Sequence, residues 1–274
     1  MVPLSALPCG VFVGKARKNT EEVLRGGDSV KEWVARHPRK MPDSKGMGGT
    51  ARRLFQGLAA SYDRTVDIAT LYQDRYWKRW VAEQASFGDG ALILDLGCGT
   101  LLLEERFGNK GCRYVGIDLT SEMAKRGWEK GLANVPLVVN GDAVSLPFPD
   151  KTFDGAVSCY VPKYVSVAKL ADELARVVKP SARIVLYDFA RPRGISAPLL
   201  EPYIQVGLRA IGYALRKAGS RAAFAFERLP QIIDGTSWDS EVVETMENRG
   251  FETMAATPLT AGAVFAYCGQ KRSG

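Results

Sequence analysis

Three carboxylates and a glycine turn carry the chemistry legible in this sequence. The run Leu92-Ile93-Leu94-Asp95-Leu96-Gly97-Cys98-Gly99-Thr100 stays apolar up to Asp95 and then turns through two glycines. A turn of this kind lets a ligand touch the backbone where a buried strand of an open α/β sheet ends. Asp118, in Gly116-Ile117-Asp118-Leu119, comes 19 residues after Gly99. A carboxylate at that distance accepts hydrogen bonds from an adenosine ribose. Asp142, in Asn140-Gly141-Asp142-Ala143, follows the next apolar run and suits an adenine amino group.

Two ligands compete for the glycine turn. The dinucleotide fingerprint needs a third glycine where Leu102 stands. It also sets a pyrophosphate at the helix N-terminus, close to the charge of Asp95. S-adenosylmethionine carries an ammonium and a sulfonium and no phosphate, so Asp95 suits it. Asp118 fits either ligand. Each acid alone reads as a helix cap or a solvated loop residue. Three acids at the ends of successive strands point to an adenosyl site.

The elements that must hold these residues follow from the hydrophobic pattern. Buried strands are expected at Ala91–Leu96, Tyr114–Asp118, Leu137–Asn140, Phe153–Cys159 and Arg183–Asp188, alternating with helices. The helix Glu122–Lys130 is capped by Thr120 or Ser121 and closed by Gly131. Another, Val167–Val178, sets Leu170, Ala171, Leu174 and Ala175 on one face. A last hairpin, Phe251–Pro258 with Ala263–Cys268, completes a Rossmann-like α/β fold. Its sheet is seven-stranded and mostly parallel, with helices on both faces.

Composition sets the outer limits. The 274 residues are 46% hydrophobic and 24% charged, an ordinary globular mixture. No apolar run reaches the ~20 residues of a membrane span. Five scattered cysteines and one histidine, His37, give no zinc site of standard spacing, and free thiols suit the cytoplasm. The net charge is +7, and residues 1–55 hold +6 of it, with 11 Lys and Arg against 5 Asp and Glu. The body is therefore nearly neutral, and no nucleic-acid face is expected. Residues 1–47 read as a flexible basic tail with a hinge at Gly46–Gly49, and residues 48–274 as one domain. Within it, residues 48–85 form N-terminal helices and residues 190–235 a helical insertion covering the pocket.

From Arg52 to Gly269 the chain resembles class I S-adenosylmethionine-dependent methyltransferases. It is most similar to the C-methyltransferases of ubiquinone and menaquinone biosynthesis. Leu94-Asp-Leu-Gly-Cys-Gly-Thr100 matches the class-wide motif. Narrower matches are Tyr62-Asp63, Gln73-Asp-Arg-Tyr-Trp77-Lys-Arg-Trp80, Asp142 to Asp154, Arg176-Val-Val-Lys-Pro180 and Leu259-Thr-Ala-Gly-Ala-Val264. The resemblance implies cofactor contacts at Thr100, Asp118, Asp142, Ala143 and Ser158, which join Asp95, Gly97 and Gly99 of the turn. It departs at three places. Leu101 stands where the family has glycine. Cys159-Tyr160-Val161-Pro162-Lys163 replaces Phe-Gly-x-Arg-Asn, and Pro180-Ser181-Ala182 replaces Pro-Gly-Gly.

The implied reaction is methylation at carbon of a phenolic or hydroquinone acceptor. In-line displacement at a sulfonium gains most of its rate from positioning, but a ring carbon needs a phenolate and so a base. Asp63, Lys163 and Tyr164 are the candidates. Tyr62 and Trp77 are expected on the acceptor side, and Trp80 in helix packing. The insertion would cover a prenyl tail and touch a membrane surface peripherally. Two alternatives are O- or N-methylation of another small molecule and a non-catalytic adenosyl-binding protein.

Overall fold

A computed structural model of the chain describes residues 11–13, 47–109, 111–135, 137–193, 195 and 197–273. Strands β2 (Leu92–Leu96), β3 (Arg113–Asp118), β4 (Leu137–Asn140), β5 (Phe153–Cys159) and β6 (Val178–Phe189) are parallel. β8 (Val264–Lys271) runs antiparallel between β6 and β7 (Phe251–Leu259), which is the expected hairpin. The seven expected strands are therefore present. An eighth, β1 (Val11–Val13), pairs antiparallel with β4 at the far edge.

Alternation along the strands divides the core. Leu94, Leu96, Val115 and Ile117 face Leu170, Leu174 and Trp238 on one side of the sheet. Ile93, Val138, Val157 and Val185 face Trp77, Val81 and Ala124 on the other. Helix α6 (Val167–Val177) belongs to the first layer. Ser166 caps it by accepting from the Lys169 N–H at 3.4 Å, and its apolar stripe is sealed against the sheet.

The N-terminal helices α1 (Met47–Phe55), α2 (Tyr62–Ala69) and α3 (Gln73–Ala85) come before the sheet proper. Helices α4 (Leu102–Phe107) and α5 (Ser121–Glu129) follow β2 and β3. Residues 47–49, expected as part of a hinge, instead open α1, and Gly49 is buried. The rest of the expected tail lies outside the described residues, β1 excepted. After β6 the chain forms α7 (Ala197–Pro202), a π turn (Tyr203–Gly207), α8 (Leu208–Lys217) and α9 (Ala223–Gly235). Ile204, Leu208, Phe226 and Ile233 pack there against Leu58, closing a third small core. Helix α10 (Trp238–Glu247) leads into β7. No helix among the described residues is long and apolar enough to cross a membrane.

Three of the four positions where the resembled family carries glycine keep a left-handed backbone; Ala182 is the exception. Leu101 has φ +59°, Tyr160 φ +68° and Ser181 φ +62°. Each side chain costs roughly 1–2 kcal/mol there, so packing must hold the turns in place. Leu101 is fully buried and Tyr160 nearly so, whereas Ser181 is exposed.

Candidate active site

The glycine turn is fastened to β3. The N–H groups of Gly97 and Cys98 donate to the Ile117 carbonyl at 2.7 and 3.1 Å. Gly97 has φ +70°, and a Cβ there would collide with the Val161 side chain, so both conformation and space demand glycine. The carboxylate of Asp118 accepts from the Gly99 N–H at 2.9 Å and the Thr120 N–H at 2.7 Å. Burial nevertheless pushes its pKa up to about 6.

Above this turn lies a cleft of about 300 Å³. Gly97, Gly99, Asp118, Asp142 and Ala143 line it, as the sequence led us to expect. Asp142 accepts from the Val144 N–H at 3.1 Å and keeps its position at the end of β4. Asp95 lies below the turn, 3% exposed, on a small cavity of about 20 Å³ that also touches Gly97, Gly99, Tyr62 and Lys78. Its Oδ1 has no hydrogen-bond partner. A buried carboxylate oxygen left open beside a glycine turn fits the cationic amino-acid end of S-adenosylmethionine, and Asp118 and Asp142 fit its adenosine end.

Two expected cofactor contacts lie elsewhere. Thr100 lines neither cavity; its hydroxyl donates to Asp63 Oδ1. Ser158 is wholly buried and donates to the Leu96 carbonyl at 2.9 Å, joining β5 to β2. Ser158 points to the face of Ala156, and its neighbour Cys159 reaches the cleft instead.

A second, apolar pocket of about 70 Å³ opens beside the cleft. Leu54, Leu58, Val66, Phe189, Phe226 and Leu229 form its walls. Tyr62 and Tyr160 line the cleft, the apolar pocket and the small cavity alike, and Tyr164 lines the first two. Tyr62 therefore sits at the junction. Trp77 does not: it is 2% exposed, packs edge-on to Phe189 and donates from Nε1 to Thr260 Oγ1 at 2.8 Å. Its spacing in the sequence reflects packing of α3 on β6.

Two of the three candidate bases are held in ion pairs, and the third keeps its proton. Asp63 holds Thr100 through one oxygen and Lys130 Nζ, at 2.9 Å, through the other. Lys163 lines the apolar pocket, but its Nζ is 2.6 Å from Asp188 Oδ1 and 3.1 Å from the Tyr160 carbonyl. Burial pulls the ammonium down and the Asp188 carboxyl up, and their contact offsets both. Burial, with Asp188 nearby, pushes the Tyr164 phenol up, so it stays protonated.

Sequence reasoning missed Tyr160. Its hydroxyl donates to Asp74 Oδ1 at 2.7 Å, and Tyr187 Oη lies 3.1 Å from the same oxygen. Lys78 Nζ also donates to Asp74. No local signal marks a lone tyrosine at a glycine position as a site residue. Only the crossing of β5 under α3 brings it to Asp74.

This fold, with an adenosyl-shaped set of acids at the ends of β2, β3 and β4, defines a class I S-adenosylmethionine-dependent methyltransferase, and the chain belongs to that family. The family described as "Methyltransferase domain" matches residues 94–186. A demethylmenaquinone methyltransferase of Tropheryma whipplei is 31% identical over 217 residues, covering 78% of this chain and 88% of its own length. One of Streptomyces avermitilis is 32% identical over 219 residues, covering 80% and 93%. Among solved structures, a possible histamine N-methyltransferase of Thermotoga maritima aligns with TM-score 0.55 at 14% identity, covering 81% and 99%. A magnesium protoporphyrin IX methyltransferase of Synechocystis with bound SAH aligns with TM-score 0.54 at 16% identity, covering 82% and 99%. These structural likenesses concern the fold.

Proposed function

We propose that the protein methylates a ring carbon of a phenolic or hydroquinone acceptor that carries an apolar tail. The observation that carries this reading is the apolar pocket meeting the cofactor cleft at Tyr62, Tyr160 and Tyr164. Aromatic walls suit a flat ring, and the aliphatic walls beyond suit a hydrocarbon tail. The names of the quinone-precursor methyltransferases to which the chain is similar agree with it.

When bound, S-adenosylmethionine supplies an electrophilic methyl group. Asp118 and Asp142 would hold its adenosine end and Asp95 its ammonium. The protein's remaining work is to orient the ring and raise its electron density. Tyr160 is our candidate for the second task. The acceptor hydroxyl donates to Tyr160 Oη, whose own proton passes to Asp74 Oδ1, leaving a phenolate in an apolar, water-poor site. Lys163, on the pocket wall, adds positive potential toward that phenolate while remaining paired with Asp188. Exposed apolar side chains on the insertion, Leu199 at 80%, Val206 at 67% and Tyr213 at 61%, support entry of the tail from a membrane surface. We place the protein in the cytoplasm, in peripheral contact with that surface.

A second reading, methylation of another small molecule at oxygen or nitrogen, is favoured by one observation. Pro162 and Lys163 replace the family's Arg-Asn pair, and Lys163 is held in a buried ion pair. Labelled S-adenosylmethionine offered with prenylated hydroquinones, simple phenols and amines separates the two. Carbon-methylated hydroquinone supports the proposal, with turnover by Tyr160→Phe reduced about 100-fold. Product methylated only at nitrogen or oxygen overturns it.

A further inference from the structure

Glu104 is a buried acid that the reaction does not use. It lies in α4, 4% exposed, and neither Oε1 nor Oε2 has a hydrogen-bond partner. Asp95 Oδ1, also without a partner, is close enough to Glu104 for their side chains to hydrogen-bond once a proton lies between them. Two carboxylates in contact away from water do not both ionise, because repulsion adds to the cost of burial. A proton shared between them satisfies both open oxygens.

The charges around the pair do not remove that proton. Lys78 from α3 is the near cation, but its ammonium is already bonded to Asp74 and to Tyr187 Oη. Asp118 from β3 adds further negative charge. Lys130, beyond α5, is spent on Asp63 and Glu105. Tyr62 and Tyr160, with the thiols of Cys98 and Cys159, complete the small cavity and are neutral, their pKa values all raised by burial.

From these contacts we infer that Glu104 acts on the cofactor site through Asp95: the two hold one proton between them, and the cofactor's α-ammonium, bound at Asp95, displaces it. In the exchange the O–H bond of the pair breaks and its proton leaves to solvent. The ammonium N–H groups then donate to Asp95, which borders the cavity, and with Glu104 behind it both carboxylates stay ionised because the incoming charge compensates them. Cofactor binding is thereby coupled to proton release, and the doubled negative charge selects for a ligand with a cationic amino-acid end. The inference rests on the adenosyl-site reading of the cleft.

Calorimetric titration at pH 7 in buffers of different ionisation enthalpy counts the protons released. The ligands are S-adenosylhomocysteine, which keeps the α-ammonium, and 5′-methylthioadenosine, which keeps the adenosine end and lacks the amino-acid end. About one proton is expected with the first and close to none with the second. Any contribution from Asp118 appears with both ligands and cancels in the comparison. Glu104→Gln is expected to bind S-adenosylhomocysteine without proton release, since its amide donates to an ionised Asp95. Equal proton release with the two ligands overturns the inference, whether or not the variant folds. So does undiminished release from a folded Glu104→Gln. Failure of both ligands to bind would instead remove the adenosyl-site reading itself.

Discussion

Lys163 Nζ lies 2.6 Å from Asp188 Oδ1, and neither side chain is more than 1% exposed. The same carboxylate accepts from the Lys163 N–H at 2.9 Å and the Phe189 N–H at 2.7 Å. The pair thus ties the turn after β5 to the end of β6. Removing one partner strands the other charge in an apolar setting. Lys163→Ala is expected to lower stability by about 3–5 kcal/mol in a denaturant titration. Adding Asp188→Asn, which keeps one of the two backbone acceptors and removes the charge, should recover part of that loss. A variant as stable as the parent would show that the pair is unimportant.

Asp63 joins α2 to the glycine turn through Thr100, and to Lys130. Asp63→Asn is expected to weaken cofactor binding about tenfold, the scale of a charge-assisted contact. The single-turnover rate at saturating cofactor should stay near normal, because the carboxylate lines neither pocket. A large fall in that rate with unchanged affinity would return Asp63 to the role of base.

The partly buried Asp118 loses hydration at the cleft wall, which pushes its pKa from near 4 up to about 6. The folded state therefore holds this proton more tightly than the unfolded chain, and its ionisation opposes folding as pH rises from about 4 through 6. Ligand binding runs the other way. The ionised form offers the acceptors for ribose hydroxyls, so affinity for S-adenosylhomocysteine should fall as pH drops below about 6. Asp118→Asn should bind more weakly and lose that part of the pH dependence, measured by titration across the mildly acidic range.

Ser181 is exposed and holds φ +62° beside the bulge where β6 pairs with β5. Ser181→Gly removes the Cβ penalty and only one exposed side-chain contact, from Ser181 Oγ to Ser273 Oγ at 2.8 Å. A gain of about 0.5–1 kcal/mol is expected from thermal or chemical melts. The same change at Leu101 should destabilise, because it empties a fully buried site.

The sequence by itself determined seven of the eight strands and the cofactor loop, but not the edge strand Val11–Val13. Continuous apolar runs set Leu137–Asn140 and Phe153–Cys159 to the residue. Gly97, Gly99, Asp118 and Asp142 were legible because their roles depend on backbone geometry at strand ends, which is local. The tertiary structure decided what depends on meetings between distant segments. Trp77 is carried into the core by α3, Ser158 into a hydrogen bond across the sheet, and Asp63 and Lys163 into ion pairs with partners 67 and 25 residues away. Tyr160 with Asp74 and Glu104 with Asp95 become pairs only when β5, α3, α4 and β2 pack together. Burial then sets which carboxyls keep their protons, since desolvation depends on everything packed around a group and not on its neighbours in the chain.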